Sequence, residues 1–369
     1  MNNENFETFF DCGFSKVRAG VFNQNNKSKV FYAESEFLIN NLNLKSEIQK
    51  IIASFEKDTN EYINNVNLMI DSPKMLSVGV SISKKIDGYK LKLTNVQFLI
   101  QEAKQQILKH YKNYNIAHII INNYKVDDID YSYLPEELKC HFISLDIIFI
   151  CLPSDLVFHL KNIFSQSNVL INQITCSSYV KSIHYKDNLK LTGPVSFIDI
   201  GFNKTSIITY FNDTIFSLDT LPIGGNHITR DISKILKIDM ERSEQIKLNF
   251  YHNQKISKDG NFSHDKLQNI IFARIEEILK LCNQSIYLNS PILGPFKILL
   301  MGEGSKILNN KFKNKISFLN DMVFFIETLE GICQSGLKFS KRLNIQEVVV
   351  MPKKQIKEGF FEKLFHFFG

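Results

Sequence analysis

The sequence of 369 residues has no tryptophan, only eight prolines and only six cysteines. The cysteines lie far apart, and no two of them form a Cys-x-x-Cys pair. No apolar run reaches the length of about 18 residues that marks a transmembrane helix, and the N-terminus lacks the basic and then apolar pattern of a signal peptide. These absences predict a cytosolic protein whose thiols are reduced.

An excess of charge of one sign is also absent. The formal net charge is +6, and lysines alternate with acidic residues through most of the chain. This pattern gives no indication of a nucleic-acid surface. The abundance of asparagine, isoleucine, lysine and phenylalanine is more typical of a biased genome than of a functional surface. A hydrophobic content of 44% over this length is enough for two or three domains with real cores.

The most informative motif is an Asp-x-Gly triplet that occurs twice. It stands as Asp11-Cys12-Gly13 and as Asp199-Ile200-Gly201, each after an apolar run and before a second β-rich segment. A carboxylate at a strand end can hold a hydrated Mg²⁺, and the glycine lets backbone N–H groups approach phosphate oxygens. A single copy is ordinary turn chemistry, but the repeat predicts two related half-molecules that close on one ligand.

Two more glycine elements follow in the chain. Segment 221–231 places Gly224 and Gly225 before an amphipathic helix pattern, and segment 301–305 places Gly302 and Gly304 after a short apolar strand. The second arrangement is typical of a strand-to-helix turn beside a nucleoside.

In the order of these four elements the chain resembles the actin-like ATPase superfamily and, within it, the FtsA family of bacterial division proteins. The closest local match is segment 224–231, and Glu244-Gln245-Ile246-Lys247 stands at the place of the family's Glu-x-x-Lys, which contacts the nucleoside. The resemblance implies an α/β protein with the two-domain actin-like ATPase fold, a ribonuclease H-like repeat, with an inserted α+β subdomain and a C-terminal amphipathic helix. It also implies ATP and Mg²⁺ as cofactors.

The resemblance assigns three groups of binding residues. The first phosphate loop would be formed by Asp11, Gly13, Ser15 and Lys16. The second phosphate loop would be formed by Asp199, Gly201 and Lys204, and the nucleoside side by Gly224, Gly225, Glu244, Lys247, Gly302, Gly304 and Ser305. Asp11 and Asp199 would hold the metal through water.

The second phosphate loop departs from the family pattern. The family usually has Asp-Ile-Gly-Gly-Gly-Thr-Thr-Asp, whereas residues 199–206 read Asp-Ile-Gly-Phe-Asn-Lys-Thr-Ser. Side chains at Phe202 and Asn203 restrict positive φ and crowd the backbone, so we expect looser phosphate binding and slow or absent hydrolysis. Lys204 could reach a phosphate as a point charge, or it could be a solvated hairpin lysine. No catalytic residue is identified.

The domain organisation that the resemblance implies is as follows. The first actin-like domain comprises 1–72 and 153–192, with 329–342 returning to it, and an α+β subdomain is inserted at 73–152. The second domain comprises 193–328, with an outer subdomain at about 226–293, and it is followed by a linker at 343–357 and a membrane-targeting helix at 358–369.

The last dozen residues have a strongly one-sided pattern. At about 100° per residue, the large apolar side chains fall within an arc of roughly 160°. The predicted membrane-binding residues are Phe360, Phe361, Leu364, Phe365, Phe367, Phe368 and Lys363, and Lys353, Lys354 and Lys357 precede them. The alternative is a helix docked on the protein's own core, but an aromatic face after a polar linker favours a membrane surface.

The resemblance implies an ATP-binding, filament-forming membrane adaptor that tethers FtsZ to the cytoplasmic membrane at the division site. Its partners would be FtsZ, through the outer subdomain, further copies of the chain, membrane lipids, and later division proteins through the inserted subdomain. One alternative is an assembly protein of the PilM kind, which shares the core and the insertion but needs no lipid-seeking tail. Another is a small-molecule kinase of the same superfamily, for which the sequence offers no identifiable catalytic aspartate.

Overall fold

The computed structural model describes residues 6–24, 30–38, 43–211, 214–251, 262–289, 296–307, 322–341 and 347–348. The predicted membrane-targeting helix at 358–369 lies outside the described residues, and so does most of the predicted linker.

The described residues form strands and helices with the following bounds. The strands are β1 (Phe6–Cys12), β2 (Val17–Asn23), β3 (Val30–Glu34), β4 (Asn65–Ile70), β5 (Leu76–Lys85), β6 (Tyr114–Val126), β7 (Ile129–Tyr131), β8 (Phe142–Pro153), β9 (Leu170–Cys176), β10 (Val195–Ile200), β11 (Thr205–Phe211), β12 (Thr214–Leu221), β13 (Lys297–Met301), β14 (Met322–Phe324) and β15 (Glu347–Val348). The helices are α1 (Leu44–Thr59), α2 (Leu93–His110), α3 (Ser154–Ser165), α4 (Ser177–Asn188), α5 (Gly225–Leu236), α6 (Met240–Tyr251), α7 (His264–Asn289) and α8 (Leu329–Ser340), with a 3₁₀ turn at Glu303–Ile307.

Two five-stranded sheets share one strand pattern. The first has the order β3-β2-β1-β4-β9 and the second has the order β12-β11-β10-β13-β14. In each sheet the first three strands in chain order are antiparallel, each to the next. The fourth strand runs parallel to the first, and the fifth runs parallel to the fourth on its outer side. The internal repeat that the two Asp-x-Gly triplets predict is therefore present in the backbone. We call the first sheet with α1, α3, α4 and α8 the first lobe, and the second sheet with α5, α6 and α7 the second lobe.

Helices cover both faces of the first sheet. The fully buried Phe10 of β1 contacts Phe55 of α1 edge-on, at 6.4 Å between ring centroids. The preceding residue, Phe9, packs in a cluster with Cys333 of α8. Because neighbouring residues of a strand point to opposite faces, Phe9 and Phe10 place one apolar side chain on each face of β1.

The chain between β4 and α3 forms a third sheet, with the order β15-β6-β8-β5 and with β7 beside β6. Helix α2 packs on this sheet through a buried stripe that includes Leu99 and Ala103. Its edge strand β15 pairs Glu347 with Ile120 and Val348 with Ile119. These two residues lie within the predicted linker over 343–357, and they pair there because the free edge of β6 offers backbone partners.

Candidate functional site

The two Asp-x-Gly turns lie at the sheet edges where the lobes meet. We call residues 11–16 the first turn and residues 199–204 the second turn. Each turn is closed in the same way: Gly13 N–H donates to the carbonyl of Lys16 at 3.0 Å, and Gly201 N–H donates to the carbonyl of Lys204 at 2.8 Å. The shared geometry follows from the missing Cβ, since an added one would lie 3.0 Å from the Lys16 carbonyl in the first turn and 3.2 Å from the Lys204 carbonyl in the second.

The cleft between the lobes contains two cavities of different size. The larger, of about 280 Å³, is lined by these predicted binding residues: Ser15, Lys16, Gly201, Gly225, Glu244, Lys247 and Gly304. The smaller, of about 70 Å³, is lined by Asp11, Gly13, Ser15, Asp199, Gly201, Lys204 and Gly302. Gly224 packs against the second turn, and Ser305 Oγ donates to the Gly302 carbonyl at 2.7 Å. The structure thus brings the residues predicted for the nucleotide site to one cleft.

On the nucleoside side, helix α6 supplies an ion pair. Glu244 and Lys247 stand three residues apart and therefore share a helix face, with 2.7 Å between Lys247 Nζ and Glu244 Oε2. Lys247 Nζ also donates to Thr229 Oγ1 at 2.9 Å and to the Gly225 carbonyl at 3.2 Å. Burial lowers the pKa of Lys247, although the Glu244 carboxylate opposes that shift. The pair fixes the floor of the larger cavity by tying α6 to the start of α5.

Carbonyl groups of the second turn accept hydrogen bonds from the first N–H groups of α5. Gly225 N–H donates to the Gly201 carbonyl at 2.9 Å, and Asn226 N–H donates to the Phe202 carbonyl at 2.7 Å. Asn226 Nδ2 also donates to Asn203 Oδ1 at 2.9 Å. Helix N-termini bind anions through such free N–H groups. Here the turn's own carbonyls use two of them, so they are not available to a phosphate.

Lys204 is buried and ion-paired rather than solvated. Lys204 is only 4% exposed, and its Nζ lies 2.9 Å from Asp71 Oδ2. The same ammonium contacts Ser206 Oγ. Lys204 belongs to the second lobe and Asp71 follows β4 of the first, so this ion pair crosses the cleft. The prediction of a solvated hairpin lysine is wrong, because the first lobe covers the turn and supplies a carboxylate there.

Sequence reasoning missed the central cation of the site, Lys181. It lies on α4, a helix for which no prediction was made, and it is 6% exposed. Its Nζ is 2.9 Å from Asp199 Oδ2 and 3.1 Å from Glu327 Oε1. Burial alone would lower the pKa of Lys181, but the carboxylates of Asp199, Glu327 and Asp11 outweigh it and raise that pKa well above its usual range. In the sequence, Lys181 stands between Val180 and Ser182, a context that does not indicate burial.

The Lys181 ammonium also affects the pKa values of the neighbouring carboxylates. Burial acts to raise the pKa of Asp199, yet Lys181 and Lys204 together hold it below its usual value. Burial raises the pKa of Glu327 in spite of Lys181. Glu327 Oε2 accepts a hydrogen bond of 2.8 Å from Gly302 N–H, which ties the third glycine element to the same charge cluster.

Arg18 of β2 is a second buried cation that sequence reasoning did not identify. Its guanidinium lies 3.7 Å from Asp11 Oδ2, and it contacts Glu34 and Glu303 at 2.9 Å each. Asp11 Oδ1 in addition accepts a hydrogen bond of 2.6 Å from Ser177 Oγ. Because Glu303 lies in the second lobe, Arg18 forms another bridge across the cleft.

The predicted metal ligands do not fit a hydrated Mg²⁺. Asp11 is already matched by Arg18 and Ser177, and Asp199 is matched by Lys181. Within the described part of the chain, no group of three or more acidic, histidine or cysteine side chains is arranged to hold a metal ion. The cations that face these two carboxylates are side chains of the protein itself.

The matching family model and the relatives described below carry the same name. Residues 196–292, from β10 to just past α7, match the family model of Cell division protein FtsA. Cell division protein FtsA of Buchnera aphidicola subsp. Schizaphis graminum is 24% identical over 68% of this chain and 62% of its own length. That of Bacillus subtilis is 32% identical over 25% of this chain and 24% of its own length. The chain therefore spans less than two thirds of these two relatives. The FtsA protein of Buchnera aphidicola subsp. Acyrthosiphon pisum is 22% identical over 83% of this chain and 82% of its own length.

Solved structures agree on the fold. The PilM-PilN type IV pilus biogenesis complex contains a chain that matches with a TM-score of 0.63 at 12% identity, covering 88% of this chain and 89% of that one. Ethanolamine utilization protein EutJ from Carboxydothermus hydrogenoformans matches with a TM-score of 0.51 at 10% identity, over 90% and 88% of the two chains. The predicted actin-like fold is confirmed, and so is the resemblance to a divergent FtsA. None of the helices in the described residues is long and apolar enough to span a membrane.

Proposed function

We propose that this chain, a divergent relative of the FtsA cell division proteins, is a filament-forming membrane adaptor that tethers FtsZ to the cytoplasmic face of the membrane during bacterial division. The observation that carries the proposal is the match of residues 196–292 to the FtsA family on an actin-like two-lobe fold. That segment includes α5, α6 and α7, the outer part of the second lobe, to which we assign FtsZ.

The proposed FtsZ surface has exposed apolar side chains on α7. Leu281 and Leu288 stand seven residues apart on one face of the helix, with exposures of 36% and 81%, and the neighbouring Tyr287 is 56% exposed. Apolar side chains on a solvated helix face are suited to a helix or tail of a partner. We therefore propose the C-terminal half of α7 as the centre of the FtsZ contact.

The cleft has a binding role in this proposal, and ATP hydrolysis is slow or absent. The larger cavity, with the Glu244 and Lys247 pair at its floor, suits the nucleoside end of a nucleotide. At the other end, Phe202 and Asn203 stand where the family has glycines, and Asp199 is paired with Lys181. A carboxylate that is already neutralised by an ammonium is a poor base for a water nucleophile. ATP with Mg²⁺ is the ligand that the family resemblance implies.

The membrane contact is assigned to the Phe-rich tail at 358–369. Burying one phenylalanine is worth about 1.5–3 kcal/mol, but partial insertion and the ordering of a short helix leave a modest affinity for one tail. A filament that presents many tails on one side makes each further insertion a local event at high effective concentration. Membrane attachment would therefore follow assembly, and polymerisation would be part of the adaptor's function.

A PilM-like assembly protein is the second candidate, because the PilM-PilN match has the higher TM-score of the two structures above. The two candidates differ in the tail. A membrane adaptor needs a helix that inserts into lipid. In a PilM-like protein, the Phe-rich segment would instead be a helix docked on the protein.

Flotation with anionic vesicles separates these candidates. The full-length chain is compared with a chain that ends at Lys357 and with a full-length variant carrying Phe361→Glu and Phe365→Glu, which keeps the length but charges the apolar face. Each is tested with and without Mg-ATP. The adaptor predicts that only the unaltered full-length chain floats. If all three stay at the bottom, the tail is not a membrane anchor and the PilM-like function is favoured.

A further inference from the structure

The two lobes contact each other directly through charged and aromatic side chains. Three ion pairs cross the cleft: Lys181 with Asp199, Arg18 with Glu303, and Lys204 with Asp71, each at 2.9 Å. An aromatic contact joins Phe37, which follows β3, to Phe202 of the second turn, with 5.4 Å between centroids and an interplanar angle of 79°. These four contacts join the two lobes through side chains of the protein itself.

Lys181 lies beside the two carboxylates to which the sequence assigns the divalent cation. The Mg²⁺ expected from the sequence would lie between the carboxylates of Asp11 and Asp199. The Lys181 ammonium contacts Asp199 directly and interacts electrostatically with Asp11. A third carboxylate, Glu327, reaches it from the connection between β14 and α8. One fixed positive charge is thus shared by three buried carboxylates.

The phosphate end of the cleft has little room and few donors left. Its cavity of about 70 Å³ is a quarter of the volume of the nucleoside cavity. The first N–H groups of α5 are taken up by the second turn.

The charge balance of this end also opposes a polyphosphate. Five carboxylates and three cationic side chains line the cavity: Asp11, Asp71, Asp199, Glu303 and Glu327, against Arg18, Lys181 and Lys204. A polyphosphate tail would add negative charge to a lining in which carboxylates already outnumber cations, at short range and low dielectric.

We infer that Lys181 is a built-in replacement for the divalent cation, and that the two lobes stay closed without a metal–nucleotide complex. The inference concerns the cleft alone and holds whether or not the chain binds FtsZ or lipid, so its test is separate from the flotation test. It limits the role of nucleotide to the larger cavity, where a nucleoside moiety has room.

The test is thermal unfolding of the wild type, Lys181→Met and Lys247→Met, each in EDTA, in millimolar Mg²⁺ and in NaCl of equal ionic strength. Methionine keeps the length of the lysine stem but removes the ammonium. Lys247→Met is the matched control, because that lysine is equally buried but pairs with the single carboxylate of Glu244.

In EDTA, Lys181→Met should unfold about 6–12 °C below the wild type, because it leaves buried carboxylates unpaired. Mg²⁺ should recover a large part of that shift in Lys181→Met alone, since only this variant exposes a vacant position between two or more carboxylates. Wild type and Lys247→Met should respond to Mg²⁺ no more than to NaCl, and any rise in the wild-type unfolding temperature with ATP should be the same in Mg²⁺ as in EDTA.

Two results would overturn the inference. One is a rise of several degrees in the wild-type unfolding temperature with Mg-ATP but not with ATP in EDTA, which would mean that a metal–nucleotide complex binds the native cleft. The other is a Lys181→Met variant as stable as the wild type and indifferent to Mg²⁺. If Lys181→Met fails to accumulate as folded protein, the wild-type titration with Mg-ATP decides alone.

Discussion

Gly224 and Gly225 are adjacent, yet the structure predicts opposite effects for the same substitution. A Cβ on Gly224 would lie 2.5 Å from the Gly201 carbonyl oxygen, 2.8 Å from that of Phe202 and 3.0 Å from the Lys204 nitrogen. All three are backbone atoms of the second turn, so they cannot move aside as a flexible side chain would. At Gly225 the nearest atoms are 3.7 Å away, an ordinary van der Waals distance.

The magnitudes follow from these distances. Overpacking against fixed backbone costs about 2–3 kcal/mol, so Gly224→Ala should lower the free energy of unfolding by that amount. Gly225 is the first residue of α5, and alanine at a compatible helical position stabilises by about 0.4–1 kcal/mol through the unfolded state. The two variants should therefore differ by about 3 kcal/mol, with the wild type between them.

Urea unfolding followed by far-ultraviolet circular dichroism measures this difference, since the chain has no tryptophan to report by fluorescence. Gly225→Ala is the matched control for Gly224→Ala, with the same chemical change one residue away. If the two free energies of unfolding agree within about 0.5 kcal/mol, the close packing of α5 on the second turn is refuted.

Three further predictions concern other parts of the molecule. Burial and the nearby charge of Lys338 lower the pKa of His184 to about 4, so the stability it contributes is present above its unfolded value of about 6.5 and is lost as the pH falls towards 4. His184→Asn should remove an acid-side slope worth about 1–2 kcal/mol after solvent screening, measured as the free energy of unfolding against pH. Phe202→Ala should lower the free energy of unfolding by about 1 kcal/mol, because it removes an edge-on aromatic contact between the lobes; equal urea midpoints would contradict this. Leu288→Asp should weaken FtsZ binding at least tenfold in a sedimentation assay with unchanged unfolding, whereas Tyr62→Asp, equally exposed but on the first lobe, should bind normally.

The main strands and helices that build the two lobes were largely predictable from the sequence. Strands β1 and β10 both contain a buried apolar stretch that ends at an Asp-x-Gly triplet, a pattern typical of a buried strand that leads into a tight turn. Helix α1 buries Leu44, Ile48, Ile51, Ile52 and Phe55, and this spacing of three and four residues is the pattern of a helix in the sequence. These features depend on local pattern, so they can be read from neighbouring residues.

The charge cluster could not be predicted in the same way. Lys181, Asp199 and Glu327 are far apart in the sequence, and their pairing depends on how α4 and the connection before α8 approach the second turn. Nothing local distinguishes a lysine that will be buried from one that will be solvated. Lys204 illustrates the same limit, because its partner Asp71 comes from the other lobe. Sequence located the site, but the three-dimensional packing determines which charges neutralise each other.

The measurement that tests the proposed adaptor most directly is the recruitment of FtsZ to anionic vesicles by this chain. FtsZ is floated with vesicles in the presence of the full-length protein or of the chain that ends at Lys357, without nucleotide for the adaptor. The account predicts that the full-length chain brings FtsZ to the vesicles, whereas the shortened chain binds FtsZ in solution and leaves it at the bottom. FtsZ that stays at the bottom with both chains, while the full-length protein itself floats, would contradict the proposed function.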